Sequence, residues 1–340
     1  MKFLNALEGK IQDIPPIWIM RQAGRYLPEY REVRQTAANF ISFCLDSEKA
    51  SEVTLQPIRR YGFDAAIIFS DILLIPYAMR RDVRFIAGKG PVLSRLNEKP
   101  EIYRADSAEM EMLFAPLRQA IKKTRDELDA SKALIGFSGA PWTLLTYMVE
   151  GGSSRDFASS RQLIFDDWRK CESIIDMLVD QIVEFLAFQA ASGVDVLMLF
   201  DSWSGAVPAA YRTELVIKPH RQIIERLRRQ NITQPIIAFP KGLAEGLIAY
   251  TEQIDINALA LDHMTDIEWA HRHIRPELTF QGNLDPLSVV AGGDQMFNAV
   301  DNLLALMQNR PYIFNLGHGV VPQTPPEHVG QLVSHIRDRA

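Results

Sequence analysis

Eight short apolar runs alternate with helix-patterned segments along this chain of 340 residues. They occupy 16–21, 65–71, 133–139, 195–202, 235–240, 258–263, 278–283 and 312–317. The runs are apolar at nearly every position rather than every second one, as in parallel strands covered on both faces. Helical periodicity fills 107–128, 161–191, 211–229, 243–254, 294–307 and 327–337, the last opening on Thr324 as cap with prolines behind it. Strand and helix repeated eight times predict an α/β fold, a single-domain (β/α)8 TIM-type barrel spanning 1–340. A doubly wound open sheet is the runner-up, but no Gly-x-Gly-x-x-Gly follows the first run, so its usual dinucleotide rationale is missing.

In a barrel, chemistry sits at the carboxyl ends of the strands and in the loops beyond them. Those ends read Arg21 and Arg25, Asp71, Gly139-Ala140-Pro141, Asp201-Ser202, Pro240-Lys241, Gln281-Gly282-Asn283 and Gly317-His318-Gly319. The irregular stretch 76–100, with Gly88-Lys89-Gly90-Pro91, reads as an elaboration of one loop.

The segment Met20-Arg21-Gln22-Ala23-Gly24-Arg25 places two guanidiniums around a glycine just past the first run. Arginine stays charged, and its planar fork matches a carboxylate with two parallel hydrogen bonds. The pair reads either as a pocket for several carboxylates or phosphates, or as solvated salt bridges. Net charge offers no help to such a ligand: 42 acidic against 37 basic residues leave −5, which argues against a nucleic-acid partner. Any polyanion must be held by locally gathered arginines.

Asp71 follows an apolar run, so it is either a cap for the next helix or a charge aimed into the barrel mouth. Ser138 lacks the second glycine of a nucleophile elbow. Tyr147 is a buried aromatic or a donor pointing into the site, and His318 lies between two glycines that permit close ligand approach. His271 and His273 read as solvated, and the pairs Arg59-Arg60 and Arg80-Arg81 as surface charges. Cys44 and Cys171, the two cysteines, fall in helix-like segments and form neither a disulfide framework nor a zinc set, so no metal is expected. The first residues carry no sustained apolar stretch, and no run reaches the roughly 20 residues of a membrane span, so a cytoplasmic setting without membrane contact is expected.

From about Pro15 to Val333 the chain resembles the uroporphyrinogen decarboxylase family. The segments PIWIMRQAGRYLPEY at 16–30 and GFSGAPWTLLTYMVEGG at 136–152 carry the likeness most specifically. FSDIL at 69–73, GKGP at 88–91, QGNLDP at 281–286 and NLGHG at 315–319 support it in the same order. The resemblance implies a (β/α)8 homodimer of haem biosynthesis that turns the four acetates of uroporphyrinogen III into methyls, giving coproporphyrinogen III and CO₂. No cofactor or metal is implied.

Carried over by motif, Arg21, Gln22, Ala23, Gly24, Arg25, Asp71, Tyr147, Ser202 and His318 line the tetrapyrrole site. Arg34 adds a carboxylate contact, and Phe137 and Phe200 wall the ring. Asp71, Arg25 and Arg21 are the expected catalytic set. Losing CO₂ from a pyrrole acetate needs an electron sink, which protonating the ring supplies; the resulting cation suits a fixed carboxylate. Arg25 and a bound water are the two candidate proton donors. After Ser202 the chain reads Trp203-Ser204-Gly205, where many relatives carry a smaller or imidazole side chain, and Lys241 is assigned no role.

Two rivals follow from other classes. A zinc- and corrinoid- or thiol-dependent methyltransferase of the same fold needs a histidine–cysteine zinc set. A non-catalytic tetrapyrrole carrier needs the arginines but not Asp71.

Overall fold

The computed structural model describes residues 1–86 and 88–338. Among the described residues nine strands appear in chain order: β1 (Ala65–Ile67), β2 (Arg84–Ile86), β3 (Gly90–Val92), β4 (Ala133–Gly139), β5 (Val196–Asp201), β6 (Ile236–Pro240), β7 (Ala258–Ala260), β8 (Thr279–Gln281) and β9 (Tyr312–Ile313). Seven of them form one parallel sheet in the order β1-β4-β5-β6-β7-β8-β9, while β2 and β3 pair antiparallel as a separate hairpin. The sheet curls, and helices connect its successive strands.

Continuous apolar runs are explained by two buried layers. Ala65, Ala133, Ile135, Val196, Met198, Ile237, Phe239 and Ala258 pack together on the concave face. Their neighbours Ala66, Leu134, Leu197, Leu199, Ile236, Ala238 and Leu259 belong to the larger cluster beneath the helices. Helix Lys2–Leu7 adds Phe3, Ala6 and Leu7 to the concave cluster, and Thr279 donates to the Ala6 carbonyl at 2.6 Å.

The run 16–21 lies between β9 and β1 without becoming a regular strand. Ile17 bridges Phe314, the Trp18 amide donates to the Phe314 carbonyl, and the Asp64 amide donates to the Ile17 carbonyl. The ladder stops there for a local reason. The Met20 amide donates to the Asn315 side chain, the Ile19 amide to the Gln22 side chain, and Arg21 takes a left-handed φ of 63°. That conformation is costly for a residue with a Cβ, and it turns the chain out of the sheet.

Several expected helices are broken, each at a nameable residue. The segment 107–128 divides into Ser107–Leu113 and Ala115–Glu127, where Pro116 starts the second piece. The segment 161–191 becomes Ala158–Asp166 and Trp168–Ser192, because the Asp167 side chain caps the Lys170 amide at 3.0 Å. A π-helical turn, Thr213–Ile217, precedes Lys218–Arg229, whose Pro219 has no N–H to give. Thr324 is not the cap expected of it: Pro325 holds that place before Pro326–Arg337, and the Thr324 hydroxyl is buried without a partner.

Arg81 corrects the surface reading of Arg80-Arg81. It is 2% exposed and donates to the carbonyls of Lys99, Glu101, Ser94 and Arg95, so it gathers the excursion around the hairpin. Arg81→Met is expected to lower unfolding stability by about 2–4 kcal/mol, since it leaves buried carbonyls unpaired. Arg80→Met, at an exposed ion pair with Glu109, should cost about 1 kcal/mol or less. Denaturant midpoints of the two variants check this; equal midpoints would return Arg81 to the surface.

Candidate active site

A cavity of about 780 Å³ opens at the carboxyl ends of the strands, within the range that buries a sizeable organic ligand. It brings together Arg21, Ala23, Gly24, Arg25, Arg34, Asp71, Phe137, Tyr147, Phe200, Ser202 and His318. Gln22 stands apart from them. It is fully buried, accepts from the Ile19 amide and donates to the Ala65 carbonyl at 3.2 Å, so its carboxamide fastens the arginine turn to β1.

Arginines dominate the lining. Neither Arg21, Arg25 nor Arg34 has an acidic partner within ion-pair range among the described residues, so the solvated-salt-bridge reading fails here. Arg34 donates to the Ala37 carbonyl and lies over the rings of Phe40 and Phe43, which fixes its stem and leaves its charge uncompensated. The left-handed φ at Arg21 carries its stem against Gly319, where any Cβ would overlap it. A Cβ on Gly24 would sit 2.8 Å from the Arg21 carbonyl oxygen, so the same turn demands a glycine there.

Asp71 is the one acidic residue in the lining among the described residues. Burial pushes its carboxyl up to about 6, against the opposing pull of the Leu73 amide and of Arg21. The helix-cap reading of this residue fails, since Leu73 holds the N-cap place of helix Leu74–Ala78 and no side chain caps that end. Its Oδ1 accepts from the Leu73 amide at 2.8 Å, just ahead of helix Leu74–Ala78, while the residue also faces the cavity.

His318 is neutral over the working range. Burial, and then the charges of Arg21 and Lys241, push it down to about 3. Its Nδ1 accepts from the Gly319 amide at 2.7 Å, which leaves the proton on Nε2 as a donor. Tyr147 keeps its proton as well, since burial and the neighbouring Asp71 raise its hydroxyl. Phe137 and Phe200 meet edge to face at 5.5 Å and form the apolar wall.

Sequence reasoning missed Lys89 as a lining residue. It sits in the hairpin turn between Gly88 and Gly90, whose φ values of 75° and 83° let the turn fold over the cavity. A cation between two glycines was the available signal. Phe40, Phe69 and Phe85 also line the cavity and stack among themselves, and nothing separates such aromatics from core residues in a sequence. Ser138 is buried and donates to the Gly139 carbonyl, consistent with no nucleophilic role. Cys44 and Cys171 are both fully buried in helices. No helix among the described residues is long and apolar enough to cross a membrane.

Comparisons with known proteins agree with the motifs. A family model described as uroporphyrinogen decarboxylase (URO-D) matches residues 1–339. The uroporphyrinogen decarboxylase of Rhizorhabdus wittichii is 44% identical over 337 residues, covering 98% of this chain and 96% of that protein. That of Caulobacter vibrioides is 44% identical over 337 residues, covering 98% and 95%. Among solved structures, a methyltransferase from Methanosarcina mazei superposes with a TM-score of 0.79 at 13% identity, covering 99% of this chain and 97% of that one. A B12-independent methionine synthase from Shewanella sp. W3-18-1 reaches 0.60 at 10% identity, covering 86% and 88%. Those two share the fold alone; the sequence relatives settle the family. The chain belongs to the uroporphyrinogen decarboxylase family.

Proposed function

We propose that this chain removes the four acetate carboxyls of uroporphyrinogen III as CO₂, yielding coproporphyrinogen III, and that Asp71 is its central catalytic group. The observation that carries the reading is the charge pattern of the cavity. Among the described residues, Arg21, Arg25, Arg34 and Lys89 share the cavity with one carboxylate and form no ion pairs of their own. A ligand bearing many carboxylates and a core that turns cationic fits both halves of that pattern.

The arginines grip acetates and propionates by charge-assisted, bidentate contacts and present one acetate at a time. The pyrrole ring then takes a proton, and the ionised Asp71 stabilises the cation in a site with little water to compete. The carbon–carboxylate bond breaks into that electron sink and CO₂ departs; the exocyclic methylene carbon then takes a proton and the ring gives up the one it gained, leaving a methyl and consuming one proton for each CO₂. His318 through Nε2–H, with Tyr147 and Ser202 through their hydroxyls, holds the substrate's polar edge. The same reading makes the chain one (β/α)8 domain, with 16–21 as the remaining stave between β9 and β1. It acts as a cytoplasmic homodimer.

Anaerobic incubation with reduced uroporphyrinogen, with products separated by carboxyl number, tests the function directly. Products with seven to four carboxyls are expected; recovery of the eight-carboxyl compound alone would refute it. The rate is also expected to fall as pH drops through about 6, where Asp71 takes up its proton. His318→Gln should keep that acid limb, because His318 titrates near 3. Loss of the limb in this variant would assign it to the histidine instead.

A further inference from the structure

Behind the end of β5, on the helix side of the sheet, lies a buried polar chain to which no role has been given. Asp201 ends β5 and is fully buried, as are Thr143 and His220. The Thr143 hydroxyl donates to Asp201 Oδ1 at 2.6 Å and accepts from the Trp203 amide at 3.2 Å. Asp201 Oδ2 lies 3.2 Å from His220 Nε2, in ion-pair range though not aligned as a hydrogen bond. His220 Nδ1 meets the Tyr250 hydroxyl at 2.7 Å. The Lys241 amide and the Ser204 hydroxyl both donate to the Asp201 carbonyl.

Burying a carboxylate this deeply is expensive, and apolar side chains of the same volume often serve a fold equally well. Where the chain leads explains its worth. Ser202 is one peptide bond beyond Asp201. Tyr147 is one helical turn beyond Thr143 in helix Pro141–Glu150, hence on the same helix face. The Thr143 hydroxyl therefore ties the two substrate-facing hydroxyls to a common anchor. Its orientation is set from both sides, because it must donate to the carboxylate and accept from the Trp203 amide.

Resting on the function proposed above, we infer that Thr143 and Asp201 are positioning residues that fix the separation of Ser202 and Tyr147 across the substrate. Neither touches the substrate. They act through the strand end and the helix that carry those two hydroxyls.

A kinetic cycle on the full chain tests this. Thr143→Val, isosteric but without the hydroxyl, is expected to lower kcat/KM about 10- to 100-fold, the scale of a slightly misplaced site. In a Tyr147→Phe/Ser202→Ala background the same change should cost no more than about twofold, since its targets are gone. Thr143→Ser, which keeps the hydroxyl, should restore wild-type kcat/KM within about twofold. Thr143→Cys, a weaker donor that leaves the chain partly satisfied, enters the same cycle so that the answer does not depend on the valine variant folding. Full activity of Thr143→Val, or an equal loss in both backgrounds, overturns the inference while leaving the function standing. Absence of turnover by the wild-type chain in the same assay overturns the function and this inference together.

Discussion

Asp71→Asn should bind porphyrinogen nearly as well as the wild type and turn it over about 10²–10³ times more slowly, as when one preorganised electrostatic partner is lost. The change is isosteric, and asparagine Oδ1 can still accept the Leu73 amide now 2.8 Å from Asp71. The local turn therefore survives, and what disappears is the negative charge. Two effects of that charge oppose each other. In the transition state it offsets a developing cation; in the resting protein it is a carboxylate partly withdrawn from water, which is why its carboxyl rises to about 6.

The sign of the stability effect follows from linkage. A carboxyl with a folded pKa above its unfolded value holds more protons in the native state between about pH 4 and 6. Its contribution is present at low pH and lost as pH rises through about 6. At pH 8 the wild type bears the full cost of the buried charge, an upper bound of about 3 kcal/mol for a shift of this size. Asp71→Asn should accordingly be the more stable protein at pH 8, and the gap should shrink as pH falls toward 4. Denaturant midpoints at several pH values, set beside single-turnover rates, separate the two effects. A variant that keeps wild-type turnover would remove Asp71 from the chemistry. One that gains no stability at pH 8 would deny that its charge is buried at a cost.

How much of this was legible in the sequence depended on the range of the forces involved. The strands were readable because both sheet faces are buried, so apolar character runs unbroken through β4, β5 and β6. The run at 16–21 was readable as apolar but not as irregular. Its ladder is cut by Asn315 and Gln22, and a contact across 295 residues has no local signature. One helix was broken where a single side chain decided it, at Asp167, and the cap before Pro326 fell to Pro325 rather than Thr324. In the site, Arg21 and Arg25 stood out because charge beside glycine is rare at the end of an apolar run. Gln22 looked like part of the same grip, yet its two partners, one on β1, turn it into the fastener of that grip. Arg80 and Arg81 are indistinguishable by type; four loop carbonyls bury one and leave the other outside.

Arg21→Ala is expected to reduce kcat/KM by about 10²–10⁴-fold, mostly through KM, since a bidentate charged grip comprises two hydrogen bonds of about 1.5–3 kcal/mol each. Arg21→Lys should recover little of this, because an ammonium lacks the planar fork that the carboxylate meets. The sharper test removes no functional group at all. Gly319→Ala puts a methyl where the Arg21 stem passes: the new Cβ would overlap Cδ and come within 2.6 Å of Cγ and 2.9 Å of Nε. Arg21 cannot retreat along its backbone, which a left-handed φ of 63° already holds in a narrow well. Its guanidinium must swing away instead. The fold should lose only about 1–3 kcal/mol, the usual cost of overpacking, while KM rises toward that of Arg21→Ala. In an Arg21→Ala background the glycine change should then do almost nothing, since the two substitutions act on one group. Additive losses in that double variant, read from steady-state kinetics with reduced uroporphyrinogen, would mean that Gly319 serves something other than Arg21. The carboxylate grip would then have to be rebuilt around Arg25 and Arg34.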